Sequence, residues 1–188
     1  MAFDLKALQR QFKPEQRLKA LTARPAAANL DAARAAGTRQ LLIDTNVYIH
    51  EANGRLPDAA AALLDGALRF HSSVCISEIA LGLSYLSPKS RRFRLAWDFY
   101  AELFMRIPDN RIHGPTQDTL AAAAMIAGSL ARTQGYSRQD RFELYRDAAI
   151  YLTATKLGLP VLTANRRDFD LLQQAAGMGH FIHYVALP

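Results

Sequence analysis

Residues 41–49 run Leu-Leu-Ile-Asp-Thr-Asn-Val-Tyr-Ile, and this stretch decides the fold. Three consecutive apolar residues ending in an acid have the form of a short parallel strand buried on both faces. Asp44 then stands at the carboxyl edge of a sheet, where α/β folds place their sites. Burying such an acid unpaired is costly, so its presence asks for a reason.

Outward from this stretch, strand and helix alternate. Pro57–Phe70 has helical spacing, with Leu63, Leu64, Ala67 and Leu68 on one face. Ser73–Ile76 reads as a second strand, and Ser77 as the N-cap of a helix over Glu78–Leu86. Pro88 opens a helix to about Met105, carrying Phe93, Trp97, Tyr100 and Phe104. That stripe reads as core or dimer contact rather than a base-stacking platform, and a homodimer is the expected assembly. Arg111–His113 is a weak strand, and Thr116–Thr133 and Arg138–Leu157 are helices. Val161–Thr163, a helix over about Asp168–Ala176 and a strand over Phe181–Val185 complete the alternation. The predicted fold class is α/β, a parallel sheet flanked by helices, with an N-terminal helical extension.

The chain has 188 residues, half of them hydrophobic, enough for one cored domain. Its net charge of +6 is uneven. Residues 1–40 carry eight basic and three acidic side chains, whereas residues 41–188 are close to neutral. We divide the chain there into a basic helical arm, residues 1–40, and a domain, residues 41–188. Phe3–Phe12 and Pro14–Leu21 read as two short amphipathic helices, with no strand in the arm. The arm is expected to pack on the domain. The alternative is an arm that lies over its own site or a neighbour's, with Arg24 in a Thr-Ala-Arg-Pro context.

One cysteine, Cys75, excludes an intramolecular disulfide. His180 and His183 are expected to be structural or surface residues. The first 25 residues are charged throughout and lack a signal-peptide core. The longest uncharged apolar stretch, Thr119–Ala131, is too short to span a bilayer. A soluble, cytoplasmic protein without a membrane partner is expected.

The candidate chemistry rests on acids. Glu78 and Asp168 fall at predicted helix starts, where the dipole alone accounts for a carboxylate. Asp147 interrupts an otherwise apolar helical run, Leu144–Leu152, and shares a face with Asp140 and Glu143. Asp170 reads as a solvated helix residue. Three or four carboxylates brought together repel one another unless a cation neutralises them. Carboxylate oxygens suit Mg²⁺ or Mn²⁺, and such a site can hydrolyse a phosphodiester.

Four segments in this order, Leu41–Ile49, Ser77–Leu83, Asp147–Ala154 and Leu159–Phe169, resemble a PIN-domain nuclease, above all the VapC-type toxins of bacterial toxin–antitoxin pairs. The resemblance covers residues 41–188. It implies a Mg²⁺/Mn²⁺-dependent endoribonuclease acting on RNA, with a cognate antitoxin as partner. Asp44, Glu78 and Asp147 match the three acids that hold metal, and Thr163 matches the hydroxyl after the fourth strand. Where many relatives have a fourth Asp, this chain has Asn165, with Asp168 the natural replacement. The nucleophile would be a metal-activated water, leaving a 5′-phosphate. Thr45, Asn46 and Thr163 would orient carboxylates and water. Asn46, Arg166 and Arg167, and further out Arg91, Arg92 and Arg94, would face RNA.

Other strand-terminal aspartate enzymes fit less well. A haloacid-dehalogenase phosphatase needs Asp where Asn46 stands, and a receiver domain needs an acidic pair and a late lysine. P-loop, Rossmann and serine-hydrolase motifs do not occur. The rival is a catalytically weak PIN module acting as an RNA-binding or protein-interaction scaffold.

Overall fold

The structure is a computed structural model and describes residues 3–188; the first two residues of the arm lie outside it. Six parallel strands form one sheet in the order β1-β6-β5-β2-β3-β4. They are β1 (Leu30–Asp31), β2 (Gln40–Ile43), β3 (Leu68–Ser72), β4 (Ile112–His113), β5 (Val161–Thr163) and β6 (Phe181–His183). Helices α1 (Leu5–Phe12), α2 (Thr45–Ala52), α3 (Asp58–Gly66), α4 (Ser73–Ser84), α5 (Arg91–Met105), α6 (Gln117–Gln134), α7 (Arg138–Lys156) and α8 (Arg166–Ala176) flank it. The expected α/β class is therefore present.

At the centre of the sheet, β2 lies between β5 and β3, with Leu42 opposite both Val161 and Phe70. Leu41, Leu42, Ile43, Val161 and Leu162 are all fully or almost fully buried, as a parallel strand covered on both faces requires. Asp44, Ser72 and Thr163 therefore come side by side at the carboxyl edge.

Two expected elements differ. The segment Ser73–Ile76 is not a strand but the first turn of α4. Ser72 caps that helix by accepting from the Val74 N–H at 3.2 Å, and Cys75, Ile79 and Leu83 form its buried face at four-residue spacing. The strand lies just upstream, in what was expected as the end of the Pro57 helix; that helix stops at Gly66. A run of three apolar residues after a serine suits either element, and only its tertiary partners decide.

The arm also departs from expectation. Leu30–Asp31 is a strand, paired with Ile182–His183 on the open edge of β6. The stretch expected as a helix over Pro14–Leu21 holds one 3-10 turn, Pro14–Gln16, and then extends. The carbonyls of Leu21 and Thr22 accept from the side chains of Gln134 (2.8 Å) and Gln174 (3.0 Å). Side chains of the domain thus take bonds that a helix would have used. α1 packs on α6, and α6 along α7 and α8. Among the described residues, no helix is long and apolar enough to cross a membrane.

Candidate active site

Asp44 directly follows β2 and caps α2. It is 2% exposed. Its Oδ1 accepts from the Thr45 N–H at 2.7 Å. Its Oδ2 accepts from the Thr163 hydroxyl at 2.7 Å and from the Asn46 amide. Asn46 is held in turn, since its Oδ1 accepts from the Ala164 N–H (2.9 Å) and the Tyr184 hydroxyl (3.4 Å). Donors at Oδ1 fix which end of the amide faces Asp44.

Glu78 is the reverse case. It lies in the second turn of α4 rather than at a helix start, so the dipole does not account for it. Thr45 donates its hydroxyl to Oε2, and Arg146 Nε lies 2.7 Å from Oε1.

Asp147 projects from α7 and Asp168 from the first turn of α8. Asn165, the N-cap of α8, joins them: its Nδ2 donates to Asp147 Oδ2 at 2.9 Å and to Asp168 Oδ2 at 3.0 Å. The Asn165 N–H donates to Thr163 Oγ1 at 2.9 Å. Tyr136 donates to the other oxygen of Asp168. A continuous network therefore runs from Asp44 through Thr163 and Asn165 to Asp147 and Asp168.

The electrostatics show how closely these acids crowd. Burial pushes Asp44 up to about 6, and Glu78 adds to the rise, against the bonds from Thr163, Thr45 and Asn46. Burial raises Asp147 well above the usual carboxylate range, and Asp44, Asp168 and Glu78 each raise it further. The four carboxylates thus lie close enough together that three of them oppose the ionisation of Asp147. Among the described residues, however, no three His, Cys, Asp or Glu side chains are already gathered as a metal site.

Asp44, Asn46, Glu78, Asp147, Thr163, Asn165 and Asp168 thus come together at the carboxyl edge of the sheet. The arginines are more scattered. Arg166 is turned to the arm, donating to Arg24 O at 2.7 Å and Asn29 Oδ1 at 3.2 Å. Arg167 is exposed. Arg91 and Arg92 line a cleft of about 790 Å³ that reaches Thr45 and Glu78, floored by Leu83, Leu86 and Phe99. Arg94 is exposed on α5, beside Lys89 O.

Asp170 is not solvated: it is fully buried and paired with Arg24. Among the described residues, no hydrogen bond joins the arm to Asp44, Glu78, Asp147 or Asp168. Arg24 anchors on Asp170 and Gln173 of α8 instead of entering the site. Arg146 and Tyr136 are contacts of the site that sequence reasoning did not single out. The one available signal was that Arg146 directly precedes the acid of interest on α7.

No family profile matches this chain, and no curated protein sequence matches it either. Solved structures do. A chain of the crystal structure of FitAcB from Neisseria gonorrhoeae superposes with a TM-score of 0.56 at 21% identity, over 77% of this chain and 96% of that one. A chain of the structure of FitAB bound to an IR36 DNA fragment gives 0.54 at 22% identity, over 76% and 94%. The fold is PIN-like. Nearly the whole length of each neighbour is matched, and about a quarter of this chain lies outside the match. In this PIN-like frame the acidic pocket sits where the central strands end.

Proposed function

We propose that this chain is a divalent-metal-dependent endoribonuclease, the toxin of a toxin–antitoxin pair. The observation that carries the reading is the pair Asp44 and Asp147. Asp44 is buried and Asp147 half-buried, both have raised pKa values, and both lie in one network with Asp168 and, through Thr45, with Glu78. A fold does not bury mutually repelling carboxylates for stability's sake. An all-oxygen donor set in this state fits a hard cation, because a cation removes the repulsion that the polypeptide leaves in place.

Asp44, Glu78, Asp147 and Asp168 would hold Mg²⁺ or Mn²⁺. Such an ion supplies a water of lowered pKa and stabilises a leaving oxygen. The chain's own part is orientation. Thr163 and Asn46 fix the rotamer of Asp44, Asn165 aligns Asp147 with Asp168, and Thr45 turns Glu78 inward. Arg91 and Arg92, along the cleft that opens from Glu78, and exposed Arg167 are suited to phosphates of a bound strand. RNA as substrate and an antitoxin as partner rest on the family resemblance; the solved neighbour FitAB is itself bound to DNA.

Two observations favour the scaffold reading: Glu78 already has a cationic partner in Arg146, and among the described residues no three acids form a ready-made site. Incubating the protein with RNA and Mn²⁺, with and without EDTA, separates the two. Cleavage that needs Mn²⁺ and is lost in Asp44→Asn and Asp147→Asn supports the nuclease. Cleavage surviving either substitution overturns the site, and binding without cleavage supports the scaffold.

A further inference from the structure

Arg146 is the cation nearest the acidic pocket, and its contact is unusual. Its Nε lies 2.7 Å from Glu78 Oε1. Yet the Nε–H is not aimed at that oxygen, and Nε is buried without a hydrogen-bond partner. The side chains are only partly covered, 33% exposed for Arg146 and 16% for Glu78. This is a charge contact without a directed bond. It takes the Coulombic gain of a pair, but it leaves a buried N–H unsatisfied.

The pair also couples two elements. Glu78 belongs to α4 and Arg146 to α7, beside Asp147. Thr45 of α2 holds Oε2 of Glu78, and Arg146 sits at Oε1. Both oxygens are therefore engaged, one by a neutral donor and one by a cation. Arg146 also lines, with Glu78, Tyr85, Gln139, Phe142 and Glu143, a hollow of about 430 Å³ beside Glu78. Its guanidinium therefore has open space to move into.

We propose that Arg146 is a built-in counter-cation of Glu78 that a divalent metal must displace, so that Arg146 sets the metal affinity of the site. The proposal rests on the metal-dependent reading above. A poorly directed ion pair is suited to this role, because an entering cation gives up little hydrogen bonding when it takes the carboxylate. In the absence of metal the pair lowers the net charge of the pocket. Once metal is bound, Arg146 turns into the hollow, where Glu143 takes the place of Glu78 as its counter-charge.

The test is calorimetric titration of the RNA-free protein with MnCl₂ alone. Arg146→Gln is expected to tighten Mn²⁺ binding by on the order of tenfold, as loss of a contacting like charge predicts. Arg138→Gln, an exposed charge two turns away on the same helix, is expected to change it less than about twofold, as distance and screening require. Unchanged or weaker binding in Arg146→Gln overturns the proposal while leaving the metal reading standing. A wild-type protein that binds no Mn²⁺ overturns both. Should Arg146→Gln not fold, the wild-type protein answers by NMR. The Arg146 Nε–H resonance is expected to shift during a Mg²⁺ titration with the midpoint of metal binding, and a resonance that stays put overturns the proposal.

Discussion

Arg24 of the N-terminal arm is ion-paired with Asp170 of α8, Nε to Oδ1 at 2.6 Å, and Asp170 has no exposed side-chain surface. The same carboxylate accepts from the Arg24 N–H and from the side chains of Asn29 and Gln174, each at 2.8 Å. The arm is thus tied to the helix whose N-cap, Asn165, bridges two acids of the site. Arg166 strengthens the tie by donating back to Arg24 O.

Removing one partner of this cluster leaves others short of a bond. Asp170→Ala removes the shared acceptor of the Arg24 guanidinium and N–H and of the Asn29 amide, while Gln174 keeps Thr22 O and Arg24 keeps Gln173; with Arg24 partly exposed, the cost is about 2–3 kcal/mol. Urea unfolding checks it, and a loss below about 1 kcal/mol would sink the strap account. The pH dependence has a definite sign. Burial pushes the Asp170 pKa up, but its hydrogen bonds from Arg24, Asn29 and Gln174 outweigh that and hold it below the ordinary value. Its stabilisation is therefore present above the unfolded aspartate pKa, about 4, and lost as the pH falls through the lower folded value.

Asp44 has the opposite sign. Its pKa rises from 3.8 to about 6, so the folded protein takes up a proton between those values that the unfolded chain does not. Wild-type stability from this group is complete below about pH 4 and is lost as the pH climbs through 6. Asp44→Asn lacks the effect. Measured in EDTA, the stability of Asp44→Asn relative to wild type should rise by up to about 3 kcal/mol between pH 4 and pH 7 and then level off. A difference that stays flat across this range contradicts the burial argument.

How much of this the sequence discloses depends on the residue. Asp44 and Asp147 are legible because each interrupts an apolar run, and an acid in apolar surroundings needs explaining. The three core strands Leu41–Ile43, Val161–Thr163 and Phe181–His183 are legible by the same apolar continuity. The helical nature of Ser73–Ile76 is hidden, because three apolar residues in a row lack a period long enough to choose between strand and helix. The Arg24–Asp170 pair is hidden more deeply. Its members lie 146 positions apart, and no local pattern distinguishes a buried Asp170 from a solvated one. The two-residue strand at Leu30–Asp31 exists only because β6 offers an open edge.

Tyr184 tests whether the support of Asn46 matters. Its hydroxyl sits 2.9 Å from His50 Nδ1 and donates to Asn46 Oδ1 at 3.4 Å. Tyr184→Phe removes that donor but leaves the ring packing and the Ala164 N–H in place. Stability should fall by about 1 kcal/mol, the net worth of a hydrogen bond. If the protein is a nuclease as proposed, turnover of RNA at saturating Mn²⁺ should fall about three- to tenfold, with KM little changed. Full activity in Tyr184→Phe would show that the Ala164 N–H alone orients the amide.

Asn165→Asp asks whether the pocket tolerates one more acid. At present the amide donates to both Asp147 and Asp168, so it relieves Asp147, whose proton affinity Asp168 already raises. A carboxylate in its place donates to neither and adds a third negative charge beside them. Without metal, Asn165→Asp is expected to be less stable than wild type by about 2–4 kcal/mol at pH 8, losing two charge-assisted bonds and gaining repulsion. The deficit should narrow towards pH 5, where protonation restores a donor. Saturating Mn²⁺ should narrow it as well, because a bound cation neutralises the added charge and draws more binding free energy from the extra ligand. Thermal unfolding of both proteins, with Mn²⁺ and with EDTA, reads the difference directly. A deficit that Mn²⁺ leaves untouched would mean that the four acids of this pocket do not meet around a metal ion, and the proposed nuclease chemistry would lose its footing.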